Sequence, residues 1–327
     1  MGAQLRVYRR RIRSVQSTKK ITKAMELIAA SRIVKAQNRM NAARPYTEEL
    51  TRALGALSRN ASLKHPMLTG TDDPKRSGVL LITSDRGLAG GYNANVIRRA
   101  NDLMNEIRSQ GKEPVLYIIG RKGLGYFRFR NRPIADSWTG FSEQPTFLDA
   151  RGATDALVHA VAATSQGTVP RSAEDGDGSG DSAGIDELFV VYTRFASMIA
   201  QNPTVAQVAP VRAAQVDGGD ADDNDRDSDT DDTGPKPEYD FEPEPEQLLA
   251  ALLPRYIGAR IFSALLESAA SESAARRRAM KSASDNADEL AKTYTRLANQ
   301  ARQAEITQEI SEIVGGADAL ASAGSEY

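Results

Sequence analysis

The chain of 327 residues contains no cysteine. Disulfides, thiolate zinc sites and cysteine nucleophiles are therefore excluded. Histidine is almost missing as well, with only His65 and His159. They lie far apart in sequence, and each reads as an ordinary surface or core residue. No apolar run reads as long enough to span a bilayer. The N-terminus is rich in arginine but lacks the apolar core of a secretory signal. A heptad pattern runs straight through it, which disfavours a mitochondrial presequence. Arg6 stands where a myristoylation signal needs Ser or Thr. On composition alone a cytoplasmic protein is the simplest expectation. The patterns G-x-G-x-x-G and G-x-x-x-x-G-K-[ST] are absent, and no paired carboxylates sit in a recognisable frame. A nucleophile or general base needs a positioned partner, and none is visible. No cofactor is expected, and the chain reads as a mechanical or scaffolding protein rather than a catalyst by itself.

Net charge is nearly absent too, with 42 basic against 43 acidic residues, but the balance is local. Residues 1–44 carry twelve Lys or Arg (Arg6, Arg9, Arg10, Arg11, Arg13, Lys19, Lys20, Lys23, Arg32, Lys35, Arg39 and Arg44) against the single acid Glu26. Such a stripe seeks a negative surface: nucleic acid, anionic lipid or an acidic protein. Residues 217–232 instead hold nine Asp and one Arg. Calcium binding there is disfavoured, because the loop spacing with a closing Glu is missing.

Two long helices organise the chain. From about Glu246 to Ala319 the apolar residues Met280, Ala283, Ala287, Leu290, Tyr294, Leu297, Ala301 and Ala304 recur in steps of three and four. That spacing keeps one narrow seam on a helix and suits a coiled coil. A second run, Ile306, Ile310, Ile313 and Ala317, follows after a phase shift. Pro243 and Pro245 precede the helix, Pro254 threatens a kink, and Gly315 and Gly316 mark its end or a weak last turn. Helix of that extent would reach about 110 Å. The first sixty residues offer a partner seam: Ala29, Ile33, Ala36, Met40, Ala43, Thr47, Leu50, Leu54 and Leu57. An earlier stretch, Leu5, Tyr8, Ile12 and Val15, has the same rhythm and reads as a different phase. An antiparallel pair formed by the two ends of one chain follows, with a homodimeric coiled coil as the alternative.

Between the ends the period changes. Residues 60–77 read as a linker. Gly78–Thr83 reads as a buried strand, 93–109 as a helix, Val115–Ile119 as a strand, and 121–128 as a short helix. Ala153–Thr164 reads as a helix, with strands at Leu188–Arg194 and Thr204–Arg212. Strand and helix alternating at this spacing predict an α/β domain over 78–242 with a partly parallel sheet. Helical domains flank it at 1–59 and 243–327. The stretches 166–184 and 217–235 are rich in Gly, Ser and Asp. They cannot bury apolar surface and are expected to be mobile loops. The turn Ser84 to Asn93 resembles a phosphate cradle at first sight, but a tight structural turn is the favoured reading.

Three stretches carry a family likeness. They are Ile306–Ala317 (ITQEISEIVGGA), Gln16–Ser31 (QSTKKITKAMELIAAS) and the turn Ser84–Asn93. With these motifs the chain resembles the γ subunit of the bacterial F-type ATP synthase, apart from the two apparent insertions at 166–184 and 217–235. The resemblance implies a long antiparallel coiled coil of the terminal helices standing on a Rossmann-like α/β foot. It implies a central rotating shaft that couples proton flow through the membrane rotor to ATP synthesis in the catalytic β subunits. The implied partners are the α and β subunits, the ε subunit and the ring of c subunits, in a hetero-oligomer without nucleic acid. Membrane contact would come only through the rotor ring, and the place would be peripheral, on the cytoplasmic side of the cell membrane.

The likeness also carries over to particular residues. Arg302 and Gln303 match a polar contact to a β-subunit loop. Met25 matches a position facing the acidic lever segment of the β subunit, with Lys23 nearby. Tyr239 and Glu242 match residues that touch the rotor ring. Without the resemblance, Arg302 reads as a solvated helix charge, Met25 as a seam residue and 238–243 as an edge strand with a turn. Two rival classes stand beside this reading. One is a basic coiled coil that binds nucleic acid, and the other is an enzyme built on the glycine-rich turn.

Overall fold

The computed structural model describes residues 2–60, 68, 70–71, 73–164, 168–169, 182–211 and 245–323. Helix α1 covers Gly2–Asn60 and helix α5 covers Pro245–Ala323. Between them lie β1 (Arg76–Ile82), α2 (Tyr92–Ser109), β2 (Glu113–Ile119), α3 (Arg121–Phe129), β3 (Asp136–Trp138) and α4 (Phe147–Ala163). The short strands β4 (Thr168–Val169) and β5 (Ser182–Ala183) follow, and then β6 (Glu187–Phe195) and β7 (Gln201–Ala209). Neither Pro45 nor Pro254 ends its helix. Gly315 and Gly316 do not end α5 either, which runs on to Ala323. The chain divides into two compact units, one of Met1–Ala29 with Arg276–Tyr327, the other of Ala30–Ala275.

The larger unit is built on a five-stranded sheet in the order β3-β2-β1-β6-β7. β1, β2, β3 and β6 are parallel, and β7 returns antiparallel to β6. Because side chains alternate along a strand, β1 serves two cores at once. Val79 and Leu81 join Val96, Ala100, Leu103 and Phe127 on one face. Leu80 and Ile82 join Leu157, Leu54, Leu249, Leu253, Tyr256 and Ile257 on the other. A strand covered on both faces must be apolar at nearly every position, which is why GVLLI carries no alternation. α2 and α3 thus cover one face, and α4 with parts of α1 and α5 covers the other.

Several local differences from the sequence reading have identifiable causes. β3 was not expected. It is a three-residue strand reading Asp-Ser-Trp, too short for periodicity to register. α4 begins six residues before the expected Ala153, at Phe147. Thr146 caps it by accepting from the Asp149 amide, while Asp149 accepts from the Thr146 amide at 3.0 Å. One stretch of α5 proves long and apolar enough to cross a membrane by length and composition, contrary to expectation. Half of it is buried within the protein, and Leu249, Leu253, Ile257, Ile261 and Leu265 belong to the apolar core. The ends of the 166–184 stretch pair as a small antiparallel ladder, Thr168 with Ala183 and Val169 with Ser182. Residues 170–181 and all of 217–235 lie outside the described residues.

The smaller unit is the antiparallel pairing of the start of α1 with α5. Tyr8 lies 6.5 Å from Tyr294 between ring centroids, Lys19 meets Asp288, and Thr22 meets Ser284. Numbers rise along one helix as they fall along the other, which fixes the direction. The α1 seam proves to be a single heptad phase. Leu5, Tyr8, Ile12 and Val15 are half-buried, and they continue through Lys19, Thr22 and Glu26 to the buried Ala29 without a slip. The apparent change of phase arose because polar residues occupy the three intervening seam positions.

On α5 the inward stripe is Met280, Ser284, Ala287 and Ala298, which are buried, with the half-buried Ala291, Tyr294, Ala301 and Glu305. Leu290 is 47% exposed and Ala304 is also exposed, so these two expected seam positions are corrected. Small side chains at 284, 291 and 298 take the inward places. A search for apolar residues passes over the buried Ser284 and selects its half-buried neighbour Ala283 instead.

Candidate functional site

In the smaller unit the seam has a polar centre. The Thr22 and Ser284 hydroxyls are buried and 2.6 Å apart. One helical turn away, Lys19 donates to Asp288 at 2.5 Å, and Lys292 reaches the same carboxylate at 3.0 Å. The Lys19 hydrogen bond, joined by that of Lys292, holds the Asp288 carboxyl below its ordinary range. Glu26, buried on the same seam, accepts from Lys23 at 3.0 Å. Polar layers of this kind specify register at some expense of stability. Arg11 lies over the Tyr294 ring at 5.6 Å, a cation–π contact that ties the basic stripe to the seam.

The outer surface of this unit is unusually apolar for a charged helix pair. Val7, Ile21, Leu27 and Ile28 of α1 are about half exposed or more. On α5 so are Ile306, Ile310, Ile313 and Val314. Every described side chain from Ile306 to Ala317 is exposed. α1 starts at Gly2 and already meets Tyr294 at Tyr8, so the end of α5 extends beyond the reach of α1. Apolar rows spaced three and four apart on a bare helix mark a surface that a partner covers.

Of the residues proposed from sequence, Lys23, Arg302 and Gln303 are exposed and Met25 is half-buried. Lys23 and Met25 belong to the same turn of α1, and Arg302 and Gln303 to one turn of α5. Tyr239 and Glu242 lie outside the described residues. Sequence reasoning missed Thr22, Ser284 and Asp288. Continuing the Leu5–Val15 spacing through the polar positions would have found Thr22.

The glycine-rich turn is fully engaged in holding its own unit together. Asp85 accepts from the backbone amides of Gly140 at 2.8 Å, Ser142 at 3.0 Å and Arg121 at 3.1 Å. Its own amide donates to Ser142 Oγ at 2.8 Å. The Ser84 amide donates to Asn93 Oδ1 at 3.0 Å, and Asn93 Nδ2 donates to Ser84 Oγ at 2.7 Å. Gly120 closes the neighbouring strand end with φ +102°, where a Cβ would lie 2.2 Å from the Thr83 carbonyl oxygen.

In open α/β sheets ligands take the crevice at the carboxyl ends of the strands, where the strand order switches. Here that crevice lies between β1 and β6, and α5 occupies it. Ala275 packs with Ala89 and Tyr92, and Ser271 Oγ donates to the Thr193 carbonyl at 3.0 Å. The turn is thus a structural knot. Among the described residues no cluster of His, Asp or Glu is arranged to hold a metal ion.

Comparison with known proteins agrees with this arrangement. The family profile described as ATP synthase matches residues 4–320. The chain is 55% identical over 321 residues to the ATP synthase gamma chain of Nocardia farcinica, covering 98% of each. It is 54% identical to that of Acidothermus cellulolyticus, covering 100% of each. Among solved structures it resembles a chain of the Euglena gracilis mitochondrial ATP synthase OSCP/F1/c-ring assembly. That match has a TM-score of 0.63 and 17% identity, over 98% of this chain and 95% of the other. A chain of the Tetrahymena thermophila central stalk and c-ring matches with a TM-score of 0.53 and 22% identity, over 81% and 99%. At these identities the two solved structures speak for the fold.

Proposed function

The chain belongs to the ATP synthase γ-chain family, and from that membership we propose that it is the central rotating shaft of an F-type ATP synthase. It is a non-catalytic component of that complex. Its turning couples proton flow through the membrane rotor to ATP synthesis on other subunits. The observation that carries this reading is the likeness along nearly the whole chain, basic helix, α/β unit and long C-terminal helix together. No observation singles out the basic helix for nucleic acid.

The physical requirements of a shaft agree with the structure. A shaft must be stiff, and two paired helices with a polar registry layer resist sliding. A shaft must also interact differently with different states of its surroundings, because only a differential interaction shifts an equilibrium. The exposed apolar rows and the cations of the smaller unit are suited to that task. The α and β subunits are the partners we assign to this surface, with Lys23 and Met25 facing an acidic β segment and Arg302 and Gln303 a β-subunit loop. We assign Tyr239 and Glu242 to contact with the ring of c subunits, beside the ε subunit. On this reading the protein is peripheral, on the cytoplasmic face of the cell membrane, and meets the membrane through the rotor ring alone.

Co-purification tests the assignment. The chain is expected to leave its native membrane with α, β and ε subunits in a complex that hydrolyses ATP, and isolation as a partnerless monomer would overturn it. Arg302→Ala with Gln303→Ala should leave the isolated chain folded, since both side chains are exposed. Within the complex the double variant should weaken coupling. Loss of one half of a charged interfacial contact costs about 2–5 kcal/mol when that contact is buried. Proton-driven synthesis at the unaltered rate would count against these two residues.

A further inference from the structure

Glu143 lies in the turn between β3 and α4, and it is bound from two directions. Arg32 of α1 donates to its Oε2. Arg86 of the glycine-rich turn stands 3.5 Å from the same oxygen. The Glu143 side chain is 13% exposed and that of Arg32 is 25% exposed, so water screens the pair only weakly. The segment that carries Glu143 is itself fixed, because the Asp85 carboxylate takes the amides of Gly140 and Ser142. Sheet, turn and helix therefore meet at one carboxylate.

The position of this contact along α1 gives it leverage. α1 enters the apolar core of the α/β unit at Leu50 and Leu54. Arg32 lies about 33 Å of helix away from Leu54. At the level of Arg32 the apolar neighbours of α1 belong largely to α5, where Ala36 shares a shallow pocket with Leu266 and Ala269. Apolar contact is non-directional and opposes rotation of a helix weakly. A charge-assisted hydrogen bond fixes a geometry.

We propose that Glu143 is a positioning residue of the rotary function. It brackets α1 to the carboxyl edge of the sheet, so that torque passes between sheet and helix through the Arg32–Glu143–Arg86 contact as well as through the apolar core. The proposal rests on the shaft reading.

The test has two stages. In the full-length chain, Glu143→Gln keeps the shape and removes the charge. Amide exchange in the α1 segment 30–43 should then rise about tenfold, while α4 keeps its protection. Arg32→Gln should do the same, and the double variant should be no worse than either single one, the signature of a shared contact. Unchanged exchange, or effects that simply add, overturns the bracket. Should Glu143→Gln not fold, Arg32→Gln alone is read by the same criteria. In the assembled ATP-hydrolysing complex, a bead carried by the stalled rotor should fluctuate over a wider angle in the variants that raised exchange. An unchanged angular spread beside raised exchange means a purely structural contact, and the torque role is then wrong. If the wild-type chain does not assemble with α and β subunits, the shaft reading fails instead, and the exchange result still judges the bracket.

Discussion

The two compact units of this chain are held together by different means. In the unit of residues 30–275, Leu80, Leu81, Ile118, Ile119, Leu157 and Ile257 are all removed from water. In the helical unit, the apolar side chains that reach full burial are Ala29, Met280, Ala287 and Ala298. Several of its large aliphatic residues, among them Ile21, Leu27 and Ile313, face outward. Burial stabilises in proportion to apolar area, at about 25 cal/mol per Å², so the α/β unit carries its own stability and the helix pair has little. The lesson is functional. A segment that turns many big apolar groups outward and keeps small and polar residues at the middle of its seam is built to be completed by surroundings that it must also be able to move against.

This contrast can be broken from either side. The largest effect is expected in the α/β core. Leu157→Ala should cost about 2–5 kcal/mol, because a fully enclosed side chain leaves a cavity. Trp138, the only tryptophan of the chain, packs against that core, so its fluorescence through a denaturant titration reads the loss directly.

The seam should respond less. Thr22→Ala strands the buried Ser284 hydroxyl and should cost about 1–2 kcal/mol, seen as earlier loss of helical circular dichroism with the Trp138 transition unmoved. Replacing both partners, Thr22→Val with Ser284→Ala, should be close to neutral for stability, because neither hydroxyl is then left unpaired. A large loss in the double variant would mean that the hydroxyl pair does more than fix register.

The smallest effect is electrostatic. Lys19 and Lys292 hold the Asp288 carboxyl below its ordinary value. A carboxyl depressed in the folded state adds stability above its unfolded value and loses that stability as pH falls through the folded one. The helix pair should therefore loosen on acidification below about pH 4. Asp288→Asn should remove this dependence while leaving the neutral-pH structure in place. The group is well exposed to solvent, so the change should be slight and should fade in high salt. A pH profile identical in the Asn variant would dismiss the Lys19–Asp288 contact as a contributor.

Much of the architecture was legible in the amino-acid order, for a physical reason. Heptad spacing, the change to a continuous apolar run at GVLLI and the glycine-rich turn are local features. Each dictates a helix face, a doubly covered strand or a chain reversal without knowledge of the rest. The α1 seam from Ala29 to Leu57 is a case in point: every position named is buried or half-buried. Lys23, Met25, Arg302 and Gln303 come from the family likeness; on the helix pair Met25 is half-buried and the other three are exposed.

What the sequence left open are the matters that depend on who faces whom. Whether Leu290 or Ala291 turns inward depends on the size of the gap between two helices. That Thr22 and Ser284 form one pair needs both helices placed at once, since 262 positions separate them. The plugging of the sheet crevice by Ala275 and the bracketing of α1 by Glu143 join residues far apart in the chain. Such contacts are chosen by packing and by the desolvation of charge, which act through space. Only the folded protein decided them.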